Sequence, residues 1–555
     1  MESENKNCQN CKQDFNIDSN ELSFYEKINV PIPNVCPGCR FLVRALWRNE
    51  TTLYSRKCDK TDKPIVSMYN PKLPYKVVSH EYYNSDKWDP YEYGVDFDET
   101  RPFFEQFSEL LLKVPKMATF LSSGDGPNIN SVYSNYSGGL KNSYFVFNSG
   151  PVEEVMYARG CRRSRYAMDI YYASDVENVY ESINCHKSSN IFFGVDVSDS
   201  FECYFVNNLR NSNNCFGCVN LRNDSYCIFN KQVSKEEYFK TLQEVFGSYK
   251  KIEDFKKKFL DFKKKFPVKE NHNLKTINST GDYLTECKNV SDSFEVYKAE
   301  DCYQIFASKE IKDSIGTIGY GFKSNNLLEC VSTGYSSNII GGASLVNCHN
   351  VMYSHFLTNC HDCIGCDSLK NAKYCILNKQ YTEIEYNKIK DKIVKEITEK
   401  NLYGLMIPKE LSPFAYNETI AKDNMPLIKK EALTRGFRWE DDIQKTEGKE
   451  TLKSEDIPDH IKNVPDSITK EILKCISCNR NYKITEQELL FYKKMNIPIP
   501  RICFYCRHQN RINLRGFYKS YKSKCGKCQK EININSMSEI NQIVYCEKCY
   551  QAEVY

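Results

Sequence analysis

The feature that most constrains this chain is a repeat with a fixed period of twelve residues. From about residue 130, small, apolar or aromatic residues recur at this step: Ser143, Val155, Ala167, Val179, Ile191, Cys203, Cys215 and Cys227, then Tyr303, Ile315, Leu327, Ile339, Val351, Cys363 and Cys375. Asn, Ser, Asp and Gly, which tolerate turns and left-handed backbone, lie between the runs. One strand plus one turn at a fixed period predicts parallel β-solenoids.

Two solenoids are expected, because residues 215–232 match residues 363–380 at a constant offset of 148. Each copy then enters a helix with a capping box, Ser234 to Glu237 and Thr382 to Glu385. The apolar stripe of such a helix must be buried, so each helix is expected to cap its own solenoid. The period does not determine whether one coil contains two or three of these units. Two units, about 24 residues, fit commoner β-helix coils.

Paired cysteines bracket the repeat and predict zinc sites. The pairs at Cys8 and Cys36 recur 467 positions later at Cys475 and Cys503. Two CxxC pairs about 25 residues apart are typical of a closed, structural Zn(II) site. With the further pairs in the C-terminal copy, three sites and about three zinc ions are expected, held by Cys8, Cys11, Cys36, Cys39, Cys475, Cys478, Cys503, Cys506, Cys525, Cys528, Cys546 and Cys549. A helix after each second pair would make these modules treble-clef-like.

A fourth site is expected to have lost its metal. The N-terminal copy keeps Cys58, but Thr61 replaces the next cysteine, and His80 and Tyr83 lie near the last pair. Cys58 and His80 therefore remain doubtful ligands.

Basic residues next to the CxxC pairs suggest a polyanion-binding surface. Three arginines at steps of four follow each second pair, so they share one helix face. Residues 501–530 hold four arginines, five lysines and no acidic residue. Phosphate contacts of this kind give affinity without sequence readout. The predicted nucleic-acid-binding residues are Arg40, Arg44, Arg48, Arg507, Arg511, Arg515, Lys519 and Lys522.

The composition excludes several other classes. The hydrophobic fraction of 41% and the charged fraction of 27% are typical of a globular chain. The net charge of +4 is too small to indicate that the whole protein binds polyanions. No apolar run is long enough to cross a bilayer, and the start has no signal-peptide character. The 27 cysteines therefore indicate metal ligands and reduced thiols. A cytoplasmic location is expected, or a virion or host cytoplasm if the protein is viral.

Two clusters within the repeat allow more than one interpretation. Cys360, Cys363 and Cys366 are either an interior ladder of small thiols, the simpler interpretation, or a metal cluster with His361 and Cys348. Arg159, Arg162, Arg163 and Arg165, with Asp169 and Asp175 on the following turns, would suit an enzyme acting on a polyanion. No acid-base pair is specified by the spacing, so no catalytic residue is predicted.

These patterns predict a mainly β chain with helical caps. The expected order is an N-terminal zinc module at 1–90, a connecting segment at 91–127, solenoids at 128–232 and 273–380, capping helices at 233–272 and 381–405, an acidic linker at 406–470, and a C-terminal double zinc module at 471–555. An amphipathic helix from Arg101 is expected to cover an end of the repeat that comes after it.

The sequence also resembles a family of uncharacterised multi-CxxC proteins of reduced-genome candidate-phylum bacteria and some giant viruses. The resemblance lies in residues 35–39, 85–90, 101–107, 215–222, 229–232 and 411–419, so it spans nearly the whole chain. The family's second N-terminal knuckle pair is often complete in cysteines, and Thr61, His80 and Tyr83 depart from that pattern. The resemblance implies no known activity.

The sequence therefore favours a non-catalytic zinc-binding scaffold that docks on nucleic acid or a ribonucleoprotein through its zinc modules. A structural or adaptor protein that binds other proteins within a larger particle is the first alternative. A solenoid enzyme acting on a polyanion is the second.

Overall fold

Two large sheets of mainly parallel strands organise the protein, in a layout that fits the predicted solenoids. We describe them from a computed structural model that covers residues 3–121, 125–443, 445–535 and 542–554. The sheet of solenoid 1 lies within residues 134–232 and that of solenoid 2 within residues 281–380. Within the described residues, no helix combines the length and the apolar character needed to cross a bilayer.

The N-terminal part holds small hairpins and short helices. Its elements are β1 (Glu4–Asn7), β2 (Asp14–Ile17), α1 (Ser19–Lys27), α2 (Pro37–Ala45), β3 (Tyr54–Lys57), β4 (Pro64–Ser67), β5 (Val77–Val78), α3 (His80–Tyr83), α4 (Phe103–Lys113) and β6 (Lys116–Met117). A 3₁₀ turn covers Pro90–Tyr93.

Solenoid 1 and its caps come next in the chain. The elements are β7 (Ser134–Asn135), β8 (Leu140–Lys141), β9 (Tyr144–Phe147), β10 (Val152–Arg162), β11 (Ser164–Ser174), β12 (Glu177–His186), β13 (Ser189–Ser198), β14 (Phe201–Arg210), β15 (Asn213–Phe216), β16 (Ser225–Ile228), β17 (Lys231–Gln232), α5 (Lys235–Val245), α6 (Tyr249–Lys263) and β18 (Val268–Lys269).

Solenoid 2 and its cap are the third part. They comprise β19 (Gly281–Thr285), β20 (Lys288–Ser291), β21 (Ser293–Tyr320), β22 (Ser324–Thr333), β23 (Ser337–Ile340), β24 (His349–Met352), β25 (His361–Ile364), β26 (Lys373–Ile376), β27 (Lys379–Gln380) and α7 (Glu383–Glu399).

The remainder is a strap of 3₁₀ turns and short helices, then the C-terminal modules. The helices and strands are α8 (Ile420–Asn424), α9 (Lys429–Thr434), β28 (Leu473–Lys474), β29 (Asn481–Tyr482), α10 (Glu486–Lys494), α11 (Phe504–Arg515), β30 (Tyr521–Lys524), β31 (Glu531–Ile534), β32 (Val544–Tyr545) and α12 (Glu547–Val554). The strap, predicted as an acidic linker or an extended strap, has no core of its own but buries Phe414, Tyr416 and Ile420 against the rest of the protein.

One coil of the solenoid is twelve residues long. In solenoid 1, Val155 pairs with Ala167, which pairs with Val179, and every parallel pair of β10 to β16 has this offset. The expectation of about 24 residues per coil is therefore wrong, because the twelve-residue unit already closes one full turn.

The coil closes so quickly because it turns at every third residue. In one coil of solenoid 1, Arg163, Tyr166, Asp169 and Tyr172 all have φ between 47° and 58°. This left-handed backbone costs a non-glycine residue free energy, least for Asn and Asp. Four corners per coil give four short sides of three residues, where the sequence predicted one strand and one turn.

Such a narrow coil leaves room only for small interior side chains. Every third residue faces inward, and Ala167, Ile170 and Ala173 of one coil are buried. Interior serines also carry backbone bonds: the Ser200 hydroxyl donates to the Ser198 carbonyl at 2.8 Å and accepts from the Ser212 N–H at 3.1 Å.

Interior cysteines occupy the same kind of position. Their thiols donate to carbonyls two residues earlier, as Cys360 does to Thr358 at 3.3 Å, and Cys363 to His361 at 3.4 Å. None of these cysteines belongs to a metal-ligand group found among the described residues. The interior-ladder interpretation of Cys360, Cys363 and Cys366 therefore agrees with the structure.

Asparagines close the ends of each solenoid. Asn128 and Asn273 accept from the N–H groups of Leu140 and Leu284, both at 3.0 Å, at the start of solenoids 1 and 2. At the far end of solenoid 2, Asn378 accepts from the Asp367 N–H and donates to the Asp367 carbonyl. These side chains satisfy backbone groups that have no next coil to pair with.

Two helices pack on the last coils, α5 against β15 and β16 of solenoid 1 and α7 against β26 of solenoid 2. α6 was also expected to cap the end, but it lies along the side of solenoid 1, where Phe255 contacts Phe205 and Phe216 and Lys256 pairs with Glu181. The amphipathic helix α4 does not cover solenoid 1, which comes directly after it in the chain. It packs beside α7, and Phe103 contacts the ring of Tyr353 in solenoid 2.

The second repeat contains one irregularity that the sequence did not reveal. Ile315 pairs with Leu328, an offset of thirteen, although a step to Leu327 was expected. One residue is added at the glycine-containing bend between β21 and β22. From Leu327 onward the offset returns to twelve, because Leu327 pairs with Ile339.

The narrow interior predicts strong intolerance of larger side chains. We expect Ala167→Leu to lower the free energy of unfolding by about 1–3 kcal/mol, because the coil has no space for extra methyl groups. The measurement is urea denaturation followed by circular dichroism. Arg165→Leu, which places the same side chain on the exposed outer face, is the control and should change stability by less than about 1 kcal/mol. Equal stability of both variants would refute the tight interior.

Candidate metal centres and the cleft between the solenoids

Three groups of four cysteines are brought together as the sequence predicted. In each group the sulfur atoms lie within 4.8 Å of one another. The first pair lies at a hairpin turn and the second at the start of a helix, α2, α11 or α12. The three groups are Cys8, Cys11, Cys36 and Cys39; Cys475, Cys478, Cys503 and Cys506; and Cys525, Cys528, Cys546 and Cys549.

The sulfur spacing fits tetrahedral zinc. The distances are 3.6 Å between Cys11 and Cys36, 3.7 Å between Cys478 and Cys503, and 3.8 Å in the third group. A tetrahedron with Zn–S bonds of about 2.3 Å has edges of about 3.8 Å. These groups would therefore hold structural zinc, with four thiolates and no open position.

Backbone N–H groups support the thiolates. The Cys36, Cys503 and Cys546 N–H groups donate to a sulfur of the first pair at 3.2 to 3.3 Å. Burial opposes ionisation of Cys475, but these backbone bonds lower its pKa to about 7. The Cys475 sulfur therefore favours the deprotonated form that a metal needs, whereas burial raises the pKa of Cys503 in the same group.

The module around Cys58 has the same local fold as the third zinc module although the other three cysteine ligands are missing. Cys58 accepts from the Ser79 N–H at 3.4 Å, as Cys525 does from Cys546. Ser79 and Tyr82 stand 467 positions before Cys546 and Cys549, so they, and not His80 and Tyr83, occupy the equivalent positions. Cys58 and His80 belong to no metal-ligand group among the described residues.

The ring of His80 has a different partner. Its Nε2 lies 2.8 Å from the Thr119 hydroxyl, and burial lowers its pKa to about 4. The doubtful assignment of His80 as a ligand is therefore not supported by its position. The same offset of 467 that revealed the duplication would have pointed to Ser79.

The expectation that six arginines form an exposed binding face is wrong. Arg40, Arg44, Arg48, Arg507, Arg511 and Arg515 do share helix-aligned faces, but each side chain is at most 3% exposed. They are buried against the solenoids and paired with carboxylates. Lys519 and Lys522 of the predicted set do remain exposed.

The N-terminal module docks on solenoid 2. Arg40 Nη1 donates to Glu329 at 2.8 Å, and Arg44 Nη1 donates to the other oxygen of Glu329 at 2.5 Å. Arg40 also donates to the Tyr25 hydroxyl at 2.9 Å. One solenoid carboxylate therefore binds two arginines of α2.

The C-terminal module docks in the same manner on solenoid 1. Arg507 Nε donates to Asp169 at 2.8 Å, and Arg511 Nη1 lies 3.0 Å from its other oxygen. The first zinc module therefore docks on solenoid 2, and the second zinc module docks on solenoid 1. The crossed docking could not be read from either copy alone, because it depends on pairs some 300 residues apart.

The third arginine of each trio joins a network between the solenoids. Arg48 and Arg159 both donate to Glu50 at 2.6 Å, and together they lower the pKa of Glu50 to about 2 although burial opposes this. Arg515 donates to Glu295 of solenoid 2 at 3.1 Å.

The arginine cluster that suggested an enzyme is not a single group in the structure, because its members have different partners. Arg159 is buried, whereas Arg163 pairs with Asp175 at 2.6 Å on the surface, and Arg165 pairs with Glu177 at 2.9 Å. Both carboxylate oxygens of Asp169 contact arginines of the docked module. The residues expected around an active site therefore lie on different sides of the coil.

A cleft of about 1210 Å³ lies between the two solenoids. Its solenoid 1 wall extends from Asn148 to Asn220, and α12 of the third cysteine module closes one side. Tyr550 of α12 donates to the Asn220 side chain at 2.8 Å. The fold of the third metal site therefore shapes the cleft directly.

Positive charge dominates the described residues that line the cleft. Four carboxylates, Asp175, Asp196, Asp199 and Glu547, face eight cationic side chains: Arg162, Arg163, Lys187, Arg210, Lys263, Lys269, Lys275 and Lys309. Most of these charges are paired, since Asp175 binds Arg163, Glu547 binds Lys269, and Asp196 binds His272. Carboxylates beside the cleft bind three more of the cations: Asp125 binds Arg162, Glu286 binds Lys275, and Glu310 binds Lys309.

His272 joins the two solenoids at the cleft. Its ring nitrogens lie 3.2 Å from Asp196 of solenoid 1 and 3.0 Å from Asp282 of solenoid 2, and its ring stacks on Tyr283. Burial lowers the pKa of His272, but the two carboxylates outweigh this and raise it well above its usual value. The histidine is therefore a cationic link.

Comparison with known proteins gives no family. No family model and no curated protein match the chain. Sixteen chains of solved structures match, among them one titled "putative acetyltransferase from Desulfovibrio desulfuricans G20". It is 11% identical, covers 47% of this chain and 81% of its own, and has a TM-score of 0.11. At that score it supports no inference, and the resemblance to multi-CxxC proteins stays a prediction.

Elemental analysis tests the metal assignment. We expect three zinc ions per chain by inductively coupled plasma mass spectrometry. Cys528→Ser combined with Cys546→Ser should lower the count to two, because half of one ligand set is lost. Cys58→Ser is the control and should leave three. A count of zero or one in the natural protein, or a loss on Cys58→Ser, would contradict the assignment.

Proposed function

We propose that this protein is a non-catalytic, zinc-stabilised scaffold that docks on nucleic acid or a ribonucleoprotein. The observation that carries the proposal is the excess of cationic side chains over carboxylates along the cleft between the solenoids, where Lys187 and Arg210 are exposed. Such an excess in a concave, low-dielectric surface attracts polyanions and raises their rate of association.

Under this proposal the zinc modules have two roles. Their treble-clef-like folds present arginines that hold the solenoids together, and this role replaces the direct contact with phosphates expected from the sequence. The charges available to a ligand are instead the exposed Lys187 and Arg210 of the cleft and the lysines near β30.

The lysines of the last zinc module support the same partner. Exposed lysines surround the hairpin of β30 and β31, and β31 lies against β19, which lines the cleft. They are Lys519, Lys522, Lys524, Lys527 and Lys530. Binding would therefore start at the cleft and continue over this module, with affinity from phosphate contacts.

Charge reversal in the cleft tests the proposal. We expect Lys187→Glu combined with Arg210→Glu to weaken binding of a 20-nucleotide RNA about tenfold at moderate salt, measured by fluorescence anisotropy. The slope of log affinity against log salt should become shallower by about 1.4, or about 0.7 for each phosphate that is no longer neutralised.

The matched control reverses two exposed charges on the capping helices, Lys240→Glu with Lys258→Glu. It changes net charge by the same amount and should leave the affinity unchanged, because neither side chain lines the cleft. The proposal fails if no nucleic acid binds at low salt, or if both double variants weaken binding equally.

A further inference from the structure

The dimensions of the cleft restrict which nucleic acid can enter it. From Asn148 to Asn220 the solenoid 1 wall spans six coils of twelve residues. With about 4.8 Å between neighbouring strands, the wall is about 29 Å long. A volume of about 1210 Å³ over that length gives the centres of water molecules a mean cross-section of about 42 Å², so the cleft is about 10 Å across between its walls.

That width excludes a duplex. The major groove of B-DNA alone is about 12 Å wide, so a double helix cannot lie within this space. A single strand can, and about 29 Å accommodates on the order of 4 to 8 nucleotides, which overlaps the site sizes of known single-strand binders.

Two aromatic side chains lie on the solenoid 2 wall with cations over their rings, and the Phe322 ring also stacks on Tyr335 at 6.2 Å. Tyr297 and Phe322 are half-buried and line the cleft. Lys309 lies between them, with Nζ 5.2 Å from the Tyr297 ring centroid and 5.6 Å from that of Phe322. Arg162 of the opposite wall lies 5.7 Å from Phe322.

The two walls therefore have different chemistry. Solenoid 1 supplies the exposed cations Lys187 and Arg210, while Arg163 on the same corner as Lys187 is paired with Asp175. Solenoid 2 supplies rings with a cation beside them. A strand lying along the cleft can place its phosphates on the first wall and its bases on the second, which is the arrangement of sequence-independent single-strand binders.

From this geometry we infer that the cleft binds one single strand of RNA or DNA, with the backbone against solenoid 1 and a base stacked on Tyr297. This inference rests on the proposed nucleic-acid function and specifies its ligand. An acidic peptide would match the charges but would not use a stacking surface. Polyglutamate is therefore included in the test as a competitor.

Competition experiments with the full-length, zinc-loaded protein test the inference. The probe is a fluorescent 12-nucleotide single strand, and the competitors are the same unlabelled strand, its duplex, and polyglutamate. We expect the single strand to compete at least about tenfold better than the duplex at equal phosphate concentration. Equal competition by the duplex, or better competition by polyglutamate, would overturn the inference.

Variants of Tyr297 separate stacking from charge. Tyr297→Leu should weaken single-strand binding about 5- to 150-fold, the range for loss of one stacked base, whereas Tyr297→Phe should retain affinity. Tyr133→Ala removes an exposed tyrosine outside the cleft and should have no effect. Unchanged affinity of Tyr297→Leu contradicts the stacking assignment.

The outcomes distinguish this inference from the function on which it rests. If duplex and single strand bind equally and Lys187→Glu with Arg210→Glu still weakens both, the protein binds nucleic acid but not as a single strand in the cleft. If neither binds, the proposed function itself fails.

Discussion

Buried ion pairs between arginines and carboxylates hold this protein together. Asp169 and Glu329 each bind two arginines from a zinc module, and all the side chains involved are at most 3% exposed. Removing charges from water costs several kcal/mol per ion, so a buried arginine or carboxylate is tolerated only where its partner is in place. The zinc sites supply that placement, because each fixes the helix from which the arginines project.

The narrowness of the solenoid coil is the second constraint. With four interior positions per twelve residues, the interior holds small and aliphatic residues such as Val, Ile, Leu, Ala, Ser, Thr and Cys, and the aromatic residues face outward. Those outward rings then form the surfaces on which helices and modules pack, as Phe504 of α11 does on Tyr157. The abundance of cysteine in the repeat results from its size and its ability to donate to a nearby carbonyl.

Much of this architecture could be predicted from the sequence. Repeats, caps and cysteine pairs are local signals with fixed spacing, and the parallel layout, the capping helices and the three cysteine groups are all present. The coil length was missed because a period shows that a unit recurs but not how sharply the chain bends. The bends depend on left-handed backbone at every third residue, which ordinary residues such as Tyr166 adopt here only because the packing enforces it.

The function of the arginines was missed for a related reason. An arginine that contacts phosphate and one that contacts a buried carboxylate look the same in sequence, and the partner carboxylates lie far away in the chain. Asp169 is 338 positions before Arg507, and Glu329 is 289 positions after Arg40. The cleft shares this property, since its walls come from two repeats and a zinc module that meet only after folding.

A double-mutant cycle between Arg507 and Asp169 tests the crossed docking most directly. Arg507→Met, Asp169→Asn and the combined variant would be compared with the natural protein by urea denaturation. Docking of the second zinc module on solenoid 1 predicts a coupling free energy of at least about 1.5 kcal/mol, because the effects of substituting two residues of one buried pair are strongly non-additive. Additivity of the two substitutions within about 0.5 kcal/mol would show that they do not interact and would contradict the account.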